Sequence, residues 1–386
     1  MRIAVVGLGV VGAGAARSLA LAGAEVTVFE RTAPAAGTSG TSFAWVNSHQ
    51  KNPLPYHELN VAGMAEHEAL QEPGGRWFVQ GGNIEWAHPA GHAHLAAAVD
   101  ELRRRDYHAE WITPARAREL VPDLRIPDEV ADIAWYPREG YVLPAALLAR
   151  LWGEARDHGA VLRCPEEVVA VAEGQRCARL TSASGGTEEY DVVVLATGRW
   201  SEALAGSAGM PLPMADPDAA GSATVGLLGC TAPVVTRLDR VLTTPELNVR
   251  PDGGGRLVVQ GLDLDADADP AAVPPADGPH AQELLVRLRR LLAGTEGARL
   301  ESLRVGQRSM PADGRTAAGF SDGGAVYALA THSGITLGPL LGRLAAQEIV
   351  RGEESPLLTT FRPDRFVGVD KETFTPLTPA RFAGQQ

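Results

Sequence analysis

The sequence predicts an α/β protein of two domains, the first assembled from discontinuous segments and the second an α+β unit built on a mixed sheet. Three observations predict it. The first thirty residues read as strand, glycine turn, helix and strand; residues 191–197 contain an unbroken Val-Val-Val-Leu-Ala run; and residues 325–349 return to strand, turn and helix after a long stretch of short strands. Strands buried on both faces of a parallel sheet read as continuous Val, Ile and Leu, which is the pattern of 191–197.

In the opening segment, residues 3–6 suit a buried strand, Gly7 a tight turn, Gly9 a close approach of backbone to a pyrophosphate, and Gly12 the packing of helix on sheet. Val10 and Val11 begin that helix, whose unpaired N–H groups and positive dipole end would face the phosphates. Glu30 ends the second strand, where a carboxylate can accept hydrogen bonds from both ribose hydroxyls and would repel a 2′-phosphate. The unit is therefore Rossmann-like. A secretory signal is the competing reading, because Arg2 precedes an apolar stretch rich in Ala and Gly. It lacks the continuous Leu-rich segment of such signals, and residues 26–30 read as a strand.

Composition narrows the function. The 386 residues carry a net charge of -12, which disfavours a nucleic-acid surface or an anionic membrane as partner and favours small-molecule chemistry. No apolar run reaches the roughly eighteen residues of a membrane span, so a cytoplasmic location is expected. Cys164, Cys177 and Cys230 show no metal-ligand spacing and are read as reduced structural thiols. The segment DLDADADPAAVPPADG imitates a calcium loop but has Ala268 where glycine is required and Pro274 where the last carboxylate is required. A solvated acidic loop is expected there, and no metal site. Only Lys51 and Lys371 are lysines, among 35 basic residues.

Along the chain, 33–53 should be a long loop, 57–70 a helix, 81–86 a strand and 94–105 a helix. Residues 144–158 form a Pro-started helix, 161–163 a strand, and 168–172 and 177–182 two edge strands. Short strands with Pro/Gly/Asp-rich turns then run from 206 to 303, interrupted by one helix at 280–292. The final helix has Leu340, Leu341, Leu344 and Ile349 on one face and Pro339 suited to its first turn. The expected division gives 1–84, 144–206 and 305–386 to the nucleotide domain with its C-terminal tail, and 85–143 and 207–304 to the second domain.

Four blocks in this order, GLGVVGAG with Glu30, TSGTS, VVVLATGRWSEAL, and RSMPADGRTAAGF followed by THSGITLGP, resemble the FAD-dependent D-amino-acid oxidase superfamily. Glycine oxidase and sarcosine oxidase are nearer in pattern than D-amino-acid oxidase itself, and the resemblance spans residues 1 to about 365. It implies FAD as cofactor, with Arg31 beside Glu30, and Ser39, Thr41 and Ser42 around the pyrophosphate and ribityl chain. It further implies Val168 at adenine, and Thr197, Gly198 and Trp200 at the strand end where doubly wound sheets bind ligands. Gly334, Ile335, Thr336 and Leu337 would then aim their N–H groups at the flavin N1/O2 edge, where reduction places negative charge.

By the same resemblance Arg308 holds the substrate carboxylate, for which a planar two-donor fork is well matched, with Arg304 and Arg315 as rivals. Trp45, Asn47, His49, Tyr56 and Tyr141 are candidates to line the pocket, and His49 and Tyr141 join Arg308 as candidate catalytic residues. Residues 307–310 contain no cysteine, where covalently flavinylated members carry one, so noncovalent FAD is expected. Neither lysine falls in 256–261, where sarcosine oxidase places one that activates oxygen. O2 or another acceptor, such as a quinone, would therefore take the electrons. The implied reaction oxidises the C–N bond of an amino acid or N-substituted amino acid by hydride transfer to flavin N5, and the imine then hydrolyses. A flavin monooxygenase, which normally carries a Gly-Asp motif not found here, and a noncatalytic FAD-holding subunit are the alternatives. An NAD-dependent dehydrogenase would leave the last block unexplained.

Overall fold

The computed structural model describes residues 1–71, 77–175 and 177–380. Its first layer is a six-stranded sheet in the order Ala317–Phe320, Val326–Ala330, Val192–Leu195, Arg2–Val6, Glu25–Phe29, Val161–Arg163. All neighbours are parallel except the first pair. Segments far apart in sequence thus meet in one sheet, and Val5 sits opposite both Val28 and Val194.

One face of this sheet is covered by the helices Val10–Leu21, Pro144–Asp157 and Gly334–Arg351, whose Leu19, Leu147, Leu151, Leu340, Leu341 and Leu344 share a core. The other face carries the helix Ser201–Ser207 and a three-stranded antiparallel meander, Val168–Glu173, Ala178–Ser182 and Thr187–Tyr190. Gly7 ends the first strand at φ +99°, and a Cβ there would lie 2.6 Å from the Ala196 carbonyl oxygen, so only glycine can make this turn.

The second large sheet has eight strands, in the order Leu300–Gln307, Val225–Thr231, Leu257–Gln260, Asn248–Pro251, Val241–Thr243, Asn83–Glu85, Ile133–Tyr136, Glu110–Ile112. It is mixed, as predicted: the pair Val241–Thr243 and Asn83–Glu85 is parallel and the rest antiparallel. The helix Pro279–Leu291 covers one face with Ala281, Leu284 and Leu288. A small sheet of Trp45–Val46, Gly140–Val142 and Phe78–Val79 is formed partly by the segment read as loop.

Three expectations are corrected. The helix Gly334–Arg351 begins five residues before Pro339, so that proline lies inside the helix and not in its first turn. The acidic segment is only partly solvated: Asp265 is buried, accepting hydrogen bonds from Leu227 N at 2.8 Å and Gln260 Nε2 at 2.9 Å. Of the cysteines, Cys230 is buried but Cys164 is exposed, since it falls after a three-residue edge strand with nothing packed over it. No helix among the described residues is long and apolar enough to cross a membrane.

Candidate active site

The two sheets enclose a cleft of about 750 Å³ whose walls come from every block singled out in the sequence. At one end stand Gly7, Gly9, Val10 and Val11, with Glu30 and Arg31, then Val168, Thr197, Gly198 and Trp200; Ser39, Thr41 and Ser42 line the middle. Gly334, Ile335 and Thr336 form the far wall, and a Cβ on Gly334 would be 3.5 Å from Val11 Cγ2. The N-termini of two helices separated by more than 300 residues therefore open into one space.

Local physics fits this cleft to a dinucleotide cofactor. Glu30 is held in place by Leu8 N and Thr32 N, each 2.9 Å from one of its carboxylate oxygens, while it still lines the cleft. The helix at Val10 has no acidic residue in its first turn, and Val10 N is capped by Ser39 Oγ at 3.0 Å from a separate loop. Arg31 and Arg199 stack on Trp200, 4.2 and 3.7 Å from the ring centre, forming a flat cationic surface in the cleft wall. The helix at Gly334 has no side-chain cap, because Ser333 Oγ is engaged 2.8 Å from Tyr56 OH. Its first N–H groups find no acceptor among the described residues. They present free donors and a positive dipole end suited to an anion.

Four expected site residues are placed elsewhere. Leu337 is fully buried on the core side of its helix, one position too far round to face the cleft. Gly12, by contrast, packs the helix against the sheet as expected, a Cβ there meeting Gly7 O at 1.9 Å. Tyr141 is paired with Trp45 across the small sheet and does not line the cleft, and burial pushes its hydroxyl up to about 12. His49 stands behind the wall with no exposed surface, between Glu85 at 3.3 Å and Glu139 at 3.8 Å. Tyr56 is likewise behind the wall, whereas Trp45 and Asn47 line it.

Of the three arginines weighed for a carboxylate, only Arg308 reaches the cleft. Its Nη1 donates to the carbonyls of Ala223 and Val225 at 2.7 and 2.6 Å, and Nη2 lies 3.4 Å from Asp265 Oδ2. Burial raises the Asp265 carboxyl above its ordinary range and the Arg308 charge opposes that rise. Arg304 instead caps Gly40 O at 3.1 Å, and Arg315 pairs with Asp313.

Several polar groups in or behind this end of the cleft were not found from sequence. Asn248 presents a buried Oδ1 with no partner among the described residues, and Gln260 and Lys51 line the wall. Lys51 is 5% exposed; burial is the main cause that brings its amine down to about 7, with Glu139 opposing and Arg308 adding to the fall. Behind it, burial lifts the Glu85 and Glu139 carboxyls to about 8 and lowers His49 to about 3. The one sequence signal for Lys51 was its rarity, as one of two lysines.

Comparison with known proteins decides the family: the FAD dependent oxidoreductase (DAO) family matches over residues 2–348. The chain belongs to this family. FAD is accordingly its cofactor, and it is an oxidoreductase of the DAO fold. Among curated relatives, the bifunctional protein MnmC of tRNA 5-methylaminomethyl-2-thiouridine biosynthesis from Thiobacillus denitrificans is 29% identical over 410 residues, covering 100% of this chain. The chain spans only 60% of that relative's length. Glycine oxidase from Geobacillus kaustophilus is 25% identical over 382 residues, covering 95% of this chain and 97% of the relative. In structure, that glycine oxidase superposes with a TM-score of 0.78 at 24% identity over 95% of this chain and 100% of its own. L-proline dehydrogenase from P. horikoshii gives 0.79 at 19% identity over 95% and 97%. At such identities the structural likeness speaks for the fold.

Proposed function

We propose that this DAO-family member oxidises the C–N bond of an amino acid or N-substituted amino acid. The observation that carries the reading is that Arg308 and the uncapped N-terminus at Gly334 face one cleft, a carboxylate-sized donor opposite an anion site. When bound, FAD supplies the acceptor for a hydride and its two electrons. Gly7, Gly9, Val10 and Val11 would hold its pyrophosphate, Glu30 its ribose, and Val168, Arg31 and Trp200 its adenosine end. Gly334, Ile335 and Thr336 would hold the reacting ring, noncovalently, because Arg308, Ser309 and Met310 line the adjoining wall and none is a cysteine.

Arg308 fixes the substrate carboxylate and so orients the Cα or N-methyl C–H. Its two backbone carbonyls and Asp265 keep the guanidinium plane from turning when no substrate is present. Water hydrolyses the resulting imine, and no protein nucleophile is needed. The electron acceptor is O2 or another oxidant, and the location is cytoplasmic in this reading.

The test is anaerobic. Purified yellow protein mixed with glycine, N-methylglycine, L-proline or D-alanine should lose its flavin absorbance with at least one of them and keep it with NADPH. Bleaching by NADPH alone would replace the reading with a monooxygenase, and bleaching by neither would leave a protein that only holds FAD.

A further inference from the structure

The wall beside Arg308 contains an arrangement that the reading above leaves unused. Lys51 sits in the loop between Trp45–Val46 and the helix Leu54–Leu70, its backbone carbonyl pinned by Arg105 Nη1 at 3.2 Å. Its side chain is buried yet lines the cleft, and no carboxylate among the described residues comes within ion-pair distance of its amine. The Glu139 carboxyl favours the charged form of this amine and the Arg308 guanidinium disfavours it. Glu139 is itself fully buried and accepts from Tyr107 OH at 2.7 Å and Trp45 Nε1 at 2.9 Å. His49 lies between the two acids, its Nδ1 3.8 Å from Glu139 without a hydrogen bond and its Nε2 3.3 Å from Glu85, which accepts from Tyr136 OH at 3.0 Å. The arrangement is thus one buried amine at the cleft surface, backed by a buried cluster of two carboxyls and an imidazole.

This inference rests on the amine-oxidation reading. We propose that Lys51 is the base of the cleft: its neutral amine takes the proton from the ammonium group of the incoming substrate. The amino group of an amino acid is protonated at neutral pH, and a protonated amine cannot release a hydride from the adjacent carbon because its lone pair is occupied. One N–H bond breaks on the substrate and one forms on Lys51; the freed lone pair then drives loss of the hydride. The opposite role, a permanent cation for a second carboxylate, fits poorly. Arg308 already supplies a guanidinium on this wall, and a second fixed charge would repel the ammonium.

The lysine scarcity of this chain makes a direct test available. Holoenzyme labelled with 13Cε-lysine gives two resonances, and Lys51→Met identifies which is Lys51. That signal should titrate with a midpoint about 7. A midpoint near the ordinary lysine value of 10.5 overturns the proposal. Anaerobic flavin reduction by whichever of glycine, N-methylglycine, L-proline or D-alanine bleaches the wild type is then followed from pH 6 to 10. Lys51→Met and Lys51→Arg should both lose roughly 10²- to 10⁴-fold at pH 7, and the loss should shrink towards pH 10, where the amine loses its proton to water. Arginine keeps the charge but cannot deprotonate, so a Lys51→Arg variant as fast as wild type would sink the base and leave the amine reading intact. If no amine bleaches even the wild type, the amine reading fails and the role of Lys51 fails with it.

Discussion

The imidazole Nε2 of His67 donates to the carbonyl oxygen of Ile335 across 2.8 Å. Four residues on from Ile335 stands Pro339, which has no N–H to offer that carbonyl, so a histidine from another helix supplies the missing donor. Burial lowers His67 to about 4, and its single proton must therefore sit on Nε2 at neutral pH. The contact closes the first turn of Gly334–Arg351, the turn whose N–H groups line the cleft.

Replacing His67 by Phe keeps ring packing against Trp77 and Phe78, whose centres are 5.5 and 5.3 Å away, and removes only the donor. The Ile335 carbonyl is then buried without a partner, at a cost of about 1–3 kcal/mol. Thermal unfolding should show that loss, and flavin should dissociate more readily from the loosened turn. A variant that holds flavin as tightly as wild type would mean that this turn is set by other contacts.

A second prediction concerns how the two cleft helices meet. A Cβ on Gly14 would lie 2.5 Å from Gly338 O, and one on Gly342 would lie 2.2 Å from Gly14 C. Both obstacles are backbone, so no side-chain rotation relieves them. Gly14→Ala should separate the helices and cost about 1–3 kcal/mol by overpacking, read as a lower unfolding temperature. Unchanged stability would show that the helices can part without loss.

These contacts mark where reading the chain alone stops. The strand, turn, helix and strand of residues 2–29 were legible because their signals are local: turn glycines, apolar runs and the acid at Glu30. The strand-and-turn character of the second sheet was legible as well, from its short apolar runs between Pro/Gly/Asp-rich turns. The parallel pairing of Asn83–Glu85 with Val241–Thr243 was not, since it joins residues more than 150 apart and leaves no periodic trace. Burial was equally invisible. Asp265 read as part of a solvated loop because an acidic run gives no hint that one member will be enclosed beside Arg308. His49 was read as a cleft residue, and the tertiary fold placed it one layer back while bringing Lys51 forward.

Arg308 gives a third prediction. Arg308→Ala should raise KM strongly for an amino-acid substrate and leave bound FAD intact, since the residue contacts the second sheet and not the nucleotide turn. Asp265→Asn removes the charge that steadies the guanidinium, keeps one oxygen for Leu227 N but turns an NH2 toward Gln260 and Arg308, and should raise KM by a smaller factor. Steady-state kinetics with a flavin spectrum checks both. Equal KM in all three proteins would remove Arg308 from substrate binding.

The buried acids and histidines also give stability an opposed pH dependence. His49 and His67 titrate in the folded protein at about 3 and about 4, below their ordinary 6.5. As pH falls from 6.5 the unfolded chain binds protons that the folded chain refuses, and stability declines towards pH 4. Glu85 and Glu139 are raised from 4.5 to about 8, chiefly by burial. As pH rises above 4.5 the unfolded chain has released protons that the folded chain keeps, so these two groups withdraw stability up to pH 8. Glu85→Gln removes one of them while its amide oxygen can still accept from Tyr136 OH. Its unfolding temperature relative to wild type should therefore climb between pH 5 and pH 7, whereas His67→Phe relative to wild type should climb as the pH is lowered from 6.5 to 5. Melting curves that stay parallel to wild type across this range would mean that neither buried group changes its proton affinity on folding.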